Sequence, residues 1–283
     1  TEATVDEWLP LNVRAAQMAS ALVGSGKKCF AAVIVDRGIL LNDNVRRQVV
    51  EEMSNIAVSG YLLWVDNLNE QTAAIAELKG LLDLARGLRG IANREVINLH
   101  GGYFSIAAAG NLGRGAMTGV AHAPEFGEFR SVVPVGGGIP ISRYYVPKLH
   151  ARIPFRDAAS MFAKMGLLIS PEAFHRNVCD CDECLETISG SIGNFIEFGR
   201  NTVKTVRRRH GLVRIAFPTT DAKFRSLRHY LQRKHREYLS AVELDRDGLL
   251  RNLSEGEEEY LGVAGMDGVS HLRLWRRVFQ ESN

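Results

Sequence analysis

Val33-Ile34-Val35-Asp36, Leu63-Trp64-Val65-Asp66, Ile97-Asn98-Leu99-His100 and Gly119-Val120-Ala121-His122 are four apolar runs that each stop on an ionisable side chain. Short β-branched runs bounded by polar residues read as strands. The first three lie about 30 to 35 residues apart, the repeat of a strand–helix unit in a parallel sheet. Amphipathic stretches at Asn44–Asn55, Gln71–Leu88 and Phe155–Met165 supply helices, and another is expected at Val13–Leu22 ahead of the first strand. Val132–Val135, Tyr144–Leu149 and Leu167–Ile169 continue the alternation as further expected strands. The expected fold is therefore α/β, a (β/α)8 TIM-type barrel. A whole barrel needs roughly 250 residues, and the cysteine cluster begins at Cys179, so the barrel is expected to be incomplete in this chain. Residues 1–170 are assigned to it, and residues 171–283 to a C-terminal zinc-binding helical subdomain.

In a barrel the active site lies on the face formed by the carboxyl ends of the strands. Asp36, Asp66, His100 and His122, delivered by four successive strands, are what such a face would carry. The plainer alternative for each is a loop start: Asp36 forms a turn before Gly38, and Asp66 caps beside Asn67. His100 precedes Gly101-Gly102, a pair that lets a backbone approach a ligand closely. Tyr144, Tyr145, His150, Arg152 and Arg156 surround another expected strand end, where they stack on a base, bind phosphate or simply pack. Gly24-Ser25-Gly26-Lys27-Lys28 lacks the full phosphate-loop pattern and precedes a strand, so it is set aside.

The wider composition is that of an ordinary globular chain. The 283 residues are 46% hydrophobic and 24% charged with a formal charge of +3, enough for a sizeable core and too little charge to name a partner. No run of 18 apolar residues is present, which excludes a spanning helix of ordinary length. Glu2, Asp6 and Glu7 do not suit a secretory signal, and Thr1 in place of Met points to a trimmed or partial chain. A cytoplasmic setting with reduced thiols is expected.

Cys179-Asp180-Cys181-Asp182-Glu183-Cys184 places three thiols in six residues, and His210 follows after 25 intervening positions. Cys₃His is a standard tetrahedral set for structural Zn²⁺. The surrounding acids make the segment too polar for core, and His175 is the rival fourth ligand. Between Arg200 and Arg236 stand twelve basic residues and the single acid Asp221. Leu227, Tyr230, Leu231 and Tyr238 suit a helix with an apolar stripe and a basic face. That face, with Arg207, Arg208, Arg209, Arg225, Arg228 and Lys234, is expected to bind nucleic acid in a salt-dependent way, unless it is a solvated surface. Leu272–Phe279 reads as a closing helix.

A parallel βα barrel followed by Cys-x-Cys-x₂-Cys-x₂₅-His and a basic helix resembles the tRNA-guanine transglycosylase superfamily. The resemblance runs from about Cys29 to Tyr238. It implies that Asp36-Arg37-Gly38-Ile39-Leu40 stands for the family's Asp-Ser-Gly-Gly-Phe loop, and that Asp66 reads the guanine edge. His100-Gly101-Gly102 stands for a Gln-Gly-Gly loop that contacts the base. Gly136-Gly137-Gly138 resembles the glycine turn against which the base lies, and Glu128 neighbours that turn. The family's Phe-Asp-Cys-Val-x-Pro-Thr-Arg-like nucleophile motif has no match, a departure that resembles the DNA-acting branch, which inserts a 7-deazaguanine base in place of guanine.

The implied activity is that of a glycosyltransferase. A carboxylate attacks C1′, guanine leaves, and a deazaguanine displaces the covalent intermediate, which requires a nucleophile and an acid/base. Asp36 is expected in covalent or acid/base chemistry and Asp66 in edge recognition. Substrate contacts are expected at His100, Gly101, Gly102, Glu128, Gly137 and Gly138, and metal ligation at Cys179, Cys181, Cys184 and His210. Expected partners are DNA or tRNA and a 7-deazaguanine base, with a helper protein or a homodimer left open and no membrane. Two alternatives stay open: a catalytically silent nucleic-acid-binding or partner subunit of the same fold, and a hydrolase whose metal gathers His100, His122, Asp36 and Asp66.

Overall fold

Strand, turn and helix follow one another in the computed structural model, which describes residues 2–23, 26–122, 128–133, 140–208 and 211–282. Helix α1 (Glu2–Leu22) leads into β1 (Phe30–Val35), and a 3₁₀ turn (Arg37–Leu41) into α2 (Asp43–Ser54), whose N-terminus is capped by the Asn42 side chain. Then come β2 (Gly60–Val65), α3 (Ile75–Gly90), β3 (Glu95–Asn98), α4 (Tyr103–Ala109) and β4 (Gly119–Val120). The four strands form one parallel sheet in the order β1-β2-β3-β4. The fold is thus α/β, and the four runs that end on ionisable residues are its strands.

Parallel pairing sets Val33 beside Leu63 and Val35 beside Val65, so these side chains share a face. That face is closed by α3, which packs on β2 and β3 and in turn against α2. Val49, Met53, Leu78, Leu81, Leu82, Ala85 and Leu88 are fully buried there. Gly80 is needed where α3 crosses the Arg37–Leu41 turn, because a Cβ would lie 1.9 Å from the Leu40 carbonyl oxygen. On the other face Ala32, Leu62, Trp64 and Ile97 are less covered, and Ile34 is 39% exposed. Parallel sheets are normally covered on both faces. Among the described residues, this sheet is open and has four parallel strands; a full barrel is not shown.

The later strands expected for the barrel are different structures. Tyr144–Leu149 begins as β5 (Arg143–Val146) and pairs antiparallel with β6 (Ala151–Pro154). The chain reverses between them through a 3₁₀ turn at Pro147–Leu149 and His150, held in the left-handed region at φ 49°. Leu167–Ile169 forms no strand; neither do Val132 and Val133, while Pro134 and Val135 lie outside the described residues. Helices α5 (Phe155–Lys164), α6 (Pro171–Asn177) and α7 (Asp182–Ile188) follow, then a 3₁₀ segment (Ile192–Phe198). The basic window opens as a hairpin of β7 (Asn201–Arg208) and β8 (Gly211–Pro218), and only then becomes α8 (Thr220–Glu243). The closing stretch lies in α9 (Arg246–Glu281), which kinks at Gly265.

Two compact units emerge. One comprises Thr1–Pro134, Tyr238–Arg251 and Arg273–Asn283, and the other Val135–Glu237 and Asn252–Leu272. The division expected after residue 170 falls inside the second unit. In the first, Trp275 packs against Tyr103 and Phe104 and donates its indole N–H to the Glu70 carbonyl. In the second, Tyr144 is ringed edge-on by Phe162, Phe195 and Phe198.

Candidate metal centre and carboxylate edge

Local structure presents the three thiols of the second unit. Ser170 caps α6, which ends just before Cys179; Cys181 is the N-cap residue of α7, and Cys184 lies in its first turn. The Cys-x₂-Cys spacing therefore puts Cys181 and Cys184 on one side of a helix start. The fourth group is His229 of α8, 45 positions after Cys184. All four residues are buried, and their ligand atoms lie within 4.8 Å of one another.

His229 is oriented for ligation. Its Nε2–H donates to the Tyr145 carbonyl at 2.8 Å, which leaves the Nδ1 lone pair facing the sulfurs. Nδ1 lies 3.3 Å from Cys181 Sγ, 3.4 Å from Cys184 Sγ and 3.7 Å from Cys179 Sγ. Bonds of 2.3 Å to sulfur and 2.0–2.1 Å to nitrogen give tetrahedral edges of about 3.5 to 3.8 Å, so the donors fit a tetrahedral metal ion. The Tyr144 ring stacks on the imidazole at 4.2 Å, and its hydroxyl meets Cys184 Sγ at 3.2 Å. Without a metal, hydrogen bonds from Cys179 and Cys184 hold the Cys181 thiol far below its ordinary range. Burial works against a charged His229, but Cys179 and Cys181 push it up to about 9. A metal ion would replace those protons.

Charged neighbours tie the cysteine segment to α8. The buried Glu183 carboxylate pairs with Arg225 at 3.1 Å and Arg228 at 3.0 Å, and Asp180 pairs with Arg233 and Arg236. Glu183 N–H donates to Gln232 Oε1.

The structure corrects several expected assignments. His229 takes the corner expected for His210, which lies outside the described residues; a local spacing rule could not register a ligand brought in by α8. His175 is no rival, since its Nδ1 meets the Cys179 carbonyl at 3.1 Å. Arg225 and Arg228, expected on nucleic acid, are engaged by Glu183. Lys234 is 2% exposed, bonded to Glu237 at 3.0 Å and to the Tyr145 hydroxyl, and cannot reach a phosphate. Arg207 is exposed on β7; the Arg208 side chain and Arg209 lie outside the described residues. Tyr144 and Tyr145 are core, and His150 bonds Glu237 at 2.6 Å.

In the first unit, parallel register brings the expected edge together. Asp66 N–H donates to the Val35 carbonyl, so Asp36 and Asp66 sit side by side at the carboxyl end of the sheet. Asp36 is exposed and accepts the Gly38 N–H at 2.7 Å, the turn geometry. Asp66 is half-buried and accepts the Val132 N–H at 2.6 Å. His100 stacks obliquely on Trp64 at 4.7 Å, and the Arg130 guanidinium lies 5.9 Å from the same ring. Burial and Arg130 lower the His100 pKa, favouring neutral imidazole. His122 lies beside Tyr238 at 5.8 Å. Among the described residues Cys179, Cys181, Cys184 and His229 form the single metal-competent cluster, so the expected quartet of His100, His122, Asp36 and Asp66 is not one.

Glu70 is the residue missed from sequence. It is buried just past β2, with Oε2 accepting from Gly102 N–H at 2.9 Å and Ser105 N–H at 3.3 Å, and Oε1 from the Ser105 hydroxyl at 2.5 Å. Burial first, then Glu128, raises its carboxyl to about 7 despite those bonds. Both carboxylates crowd Gly102, where a Cβ would lie 2.7 Å from Glu128 Oε2 and 2.9 Å from Glu70 Oε2. Gly101 is equally confined, by Ser105, Val120 and Asn98. Neighbours within the chain therefore account for both glycines, the two glutamates at Gly102 and Ser105, Val120 and Asn98 at Gly101. Gly137 and Gly138 lie outside the described residues. Among the described residues, no helix is long and apolar enough to cross a membrane. No family model, curated protein or solved structure matches the chain.

Proposed function

We propose that this chain is a base-exchanging transglycosylase that replaces guanine in nucleic acid, DNA in preference to tRNA, with a 7-deazaguanine base. The observation that carries the reading is the pairing of Glu70, raised to about 7, with Glu128 at the Gly101-Gly102 loop. Base exchange needs one carboxylate that stays ionised to attack C1′ and another that holds a proton near neutral pH. In this reading Asp36 attacks C1′ as the C1′–N9 bond breaks, and guanine N9 takes a proton from the Glu128–Glu70 pair. The incoming base returns its N9 proton to that pair while its nitrogen displaces Asp36. Asp66 reads the base edge, and Trp64 with neutral His100 offers a stacking surface for a base taken out of its helix. The resemblance supplies the chemistry, and the order of groups along the carboxyl edge supports it.

The metal in this account is Zn²⁺, held by Cys179, Cys181, Cys184 and His229. When bound it supplies a structural cross-link with no coordination position left for water. The TIM-type barrel of the resemblance belongs to this same proposal. A second reading, a catalytically silent nucleic-acid-binding subunit, is favoured by the turn-closing role of the exposed Asp36 carboxylate.

The test offers labelled guanine or deazaguanine to the purified chain with duplex DNA and tRNA in parallel. Label entering DNA, lost in Asp36→Asn and strongly slowed in Glu128→Gln, is the expected result. Incorporation into neither substrate by a folded, metal-loaded chain would overturn the enzymatic reading in favour of the silent subunit.

A further inference from the structure

The cations of the basic window fall into two groups. Five of the six on α8 are spent internally, Arg225 and Arg228 on Glu183, Arg233 and Arg236 on Asp180, and Lys234 on Glu237, which leaves Lys223 exposed at the start of the helix. Lys204, Arg207 and Arg214, on the β7–β8 ribbon, pair with no carboxylate among the described residues. Residues 201–218 contain no acid at all.

The register sorts the ribbon into two faces, since directly paired residues of antiparallel strands point the same way. Lys204 pairs with Ile215, Val206 with Val213 and Thr202 with Phe217. This face is the more covered one, with Ile215 buried and Lys204 lying 6.0 Å from the Phe217 ring centroid. Val203 pairs with Ala216, Thr205 with Arg214 and Arg207 with Leu212. These six residues of the second face are all exposed, Val203 at 54% and Leu212 at 73%, and the buried Pro218, paired with Asn201, closes its base. An exposed apolar surface flanked by unpaired cations marks an interaction site, and a two-stranded ribbon is only marginally stable in water by itself.

We infer that the outward face of the β7–β8 ribbon docks in the major groove of B-form DNA. The inference rests on the nucleic-acid part of the reading above and moves the contact from α8 to the ribbon. A major groove about 12 Å wide admits a two-stranded ribbon, and eight residues per strand span about 27 Å at 3.4 Å each. Arg207 and Arg214, with Lys204 at the flank, neutralise phosphates along the groove walls. Val203, Leu212 and Ala216 face thymine methyl groups, and the Thr205 hydroxyl meets a base edge. The deep, narrow major groove of A-form RNA does not admit such a ribbon, which selects duplex DNA over folded RNA.

The test is fluorescence anisotropy of the full chain, metal-loaded, with one 20-base-pair sequence made as DNA and as RNA, across 50 to 200 mM salt. Three lost phosphate contacts flatten the slope of log K against log salt by about 2.7 in the Lys204→Ala, Arg207→Ala, Arg214→Ala triple variant. Wild-type affinity then falls about 40-fold more than the variant's over that range. Leu212→Ala, an exposed position safe for folding, weakens DNA binding without changing the slope. Arg228→Ala, on α8, leaves the slope as in wild type. Unchanged affinity and slope in the triple variant, equal flattening by Arg228→Ala, or RNA bound as tightly as DNA would each overturn the inference. Binding is read without turnover, so DNA held through the ribbon with no base exchange would count against the enzymatic reading alone.

Discussion

Replacing Glu70 by Gln turns the carboxylate argument into a measurable pH dependence. The folded Glu70 carboxyl titrates at about 7 against an ordinary 4.5, so the folded chain holds a proton there that the unfolded chain releases. Stability from this group is therefore fully present below about pH 4.5 and is lost as pH rises through 7. A displacement of about 2.5 pK units corresponds to roughly 3 kcal/mol, and the site is fully buried, so water screens little of it. Gln keeps an acceptor for the Gly102 and Ser105 N–H groups and an amide donor for the Ser105 hydroxyl, and it carries no charge at any pH. Urea unfolding of wild type and Glu70→Gln at pH 5, 6, 7 and 8 isolates the effect. The variant should gain about 2 to 3 kcal/mol on wild type between the ends of that series, most of it between pH 5 and 7. Glu128→Gln should move the Glu70 midpoint downward by removing the neighbouring negative charge. Parallel stability curves for wild type and Glu70→Gln would refute the raised carboxyl, and with it the neutral-pH proton donor.

Other substitutions probe separate parts of the account. Gly102→Ala places a methyl within 3 Å of both glutamates and should cost about 1 to 3 kcal/mol, read by thermal unfolding, although its backbone (φ −102°) suits any residue. Lys234→Met leaves the buried Glu237 its bonds to Tyr145 and His150 but removes its lysine counter-charge and should cost about 3 kcal/mol, with much of the loss restored by adding Glu237→Gln. Arg228→Ala removes a half-exposed partner of Glu183 and should cost within about 1 kcal/mol, because Arg225 still pairs with that carboxylate. Chelation should unfold the second unit, and metal should bind more weakly as pH falls, because protons compete for three thiolates and one imidazole. Circular dichroism during a metal titration at pH 6 and 8 measures both.

Legibility in the sequence followed the range of the interaction that fixed each feature. The four parallel strands were readable because each apolar run and its terminal Asp or His are contiguous. The three thiols were readable for the same reason. His229 was not, because it lies on the opposite side of α8 from Leu227, Leu231 and Tyr238, with polar Ser226 and Arg233 one turn to either side, and only tertiary packing aims it at the sulfurs. Glu70 was hidden because its partners, Gly102 and Ser105, are 32 and 35 positions away. Tyr144–Val146 reads as an apolar strand whatever its direction. Its antiparallel partner Ala151–Pro154 carries Arg152, and the reversal uses His150 in a conformation for which glycine is the usual signal. The hairpin did leave a trace: Thr202, Val203, Thr205, Val206, Val213 and Ile215 are β-branched, a density that suits strands and not a helix. Counting only charge in that window concealed it.

The most direct test of the central claim, a tetrahedral centre that joins the Cys179–Cys184 segment to α8, is metal content and X-ray absorption of wild type, His229→Ala and His210→Ala. The account predicts one zinc per chain with three sulfurs and one nitrogen in wild type and His210→Ala, and loss of metal or of the nitrogen in His229→Ala. Wild type without metal, or an intact sulfur–nitrogen shell in His229→Ala that His210→Ala destroys, would contradict it.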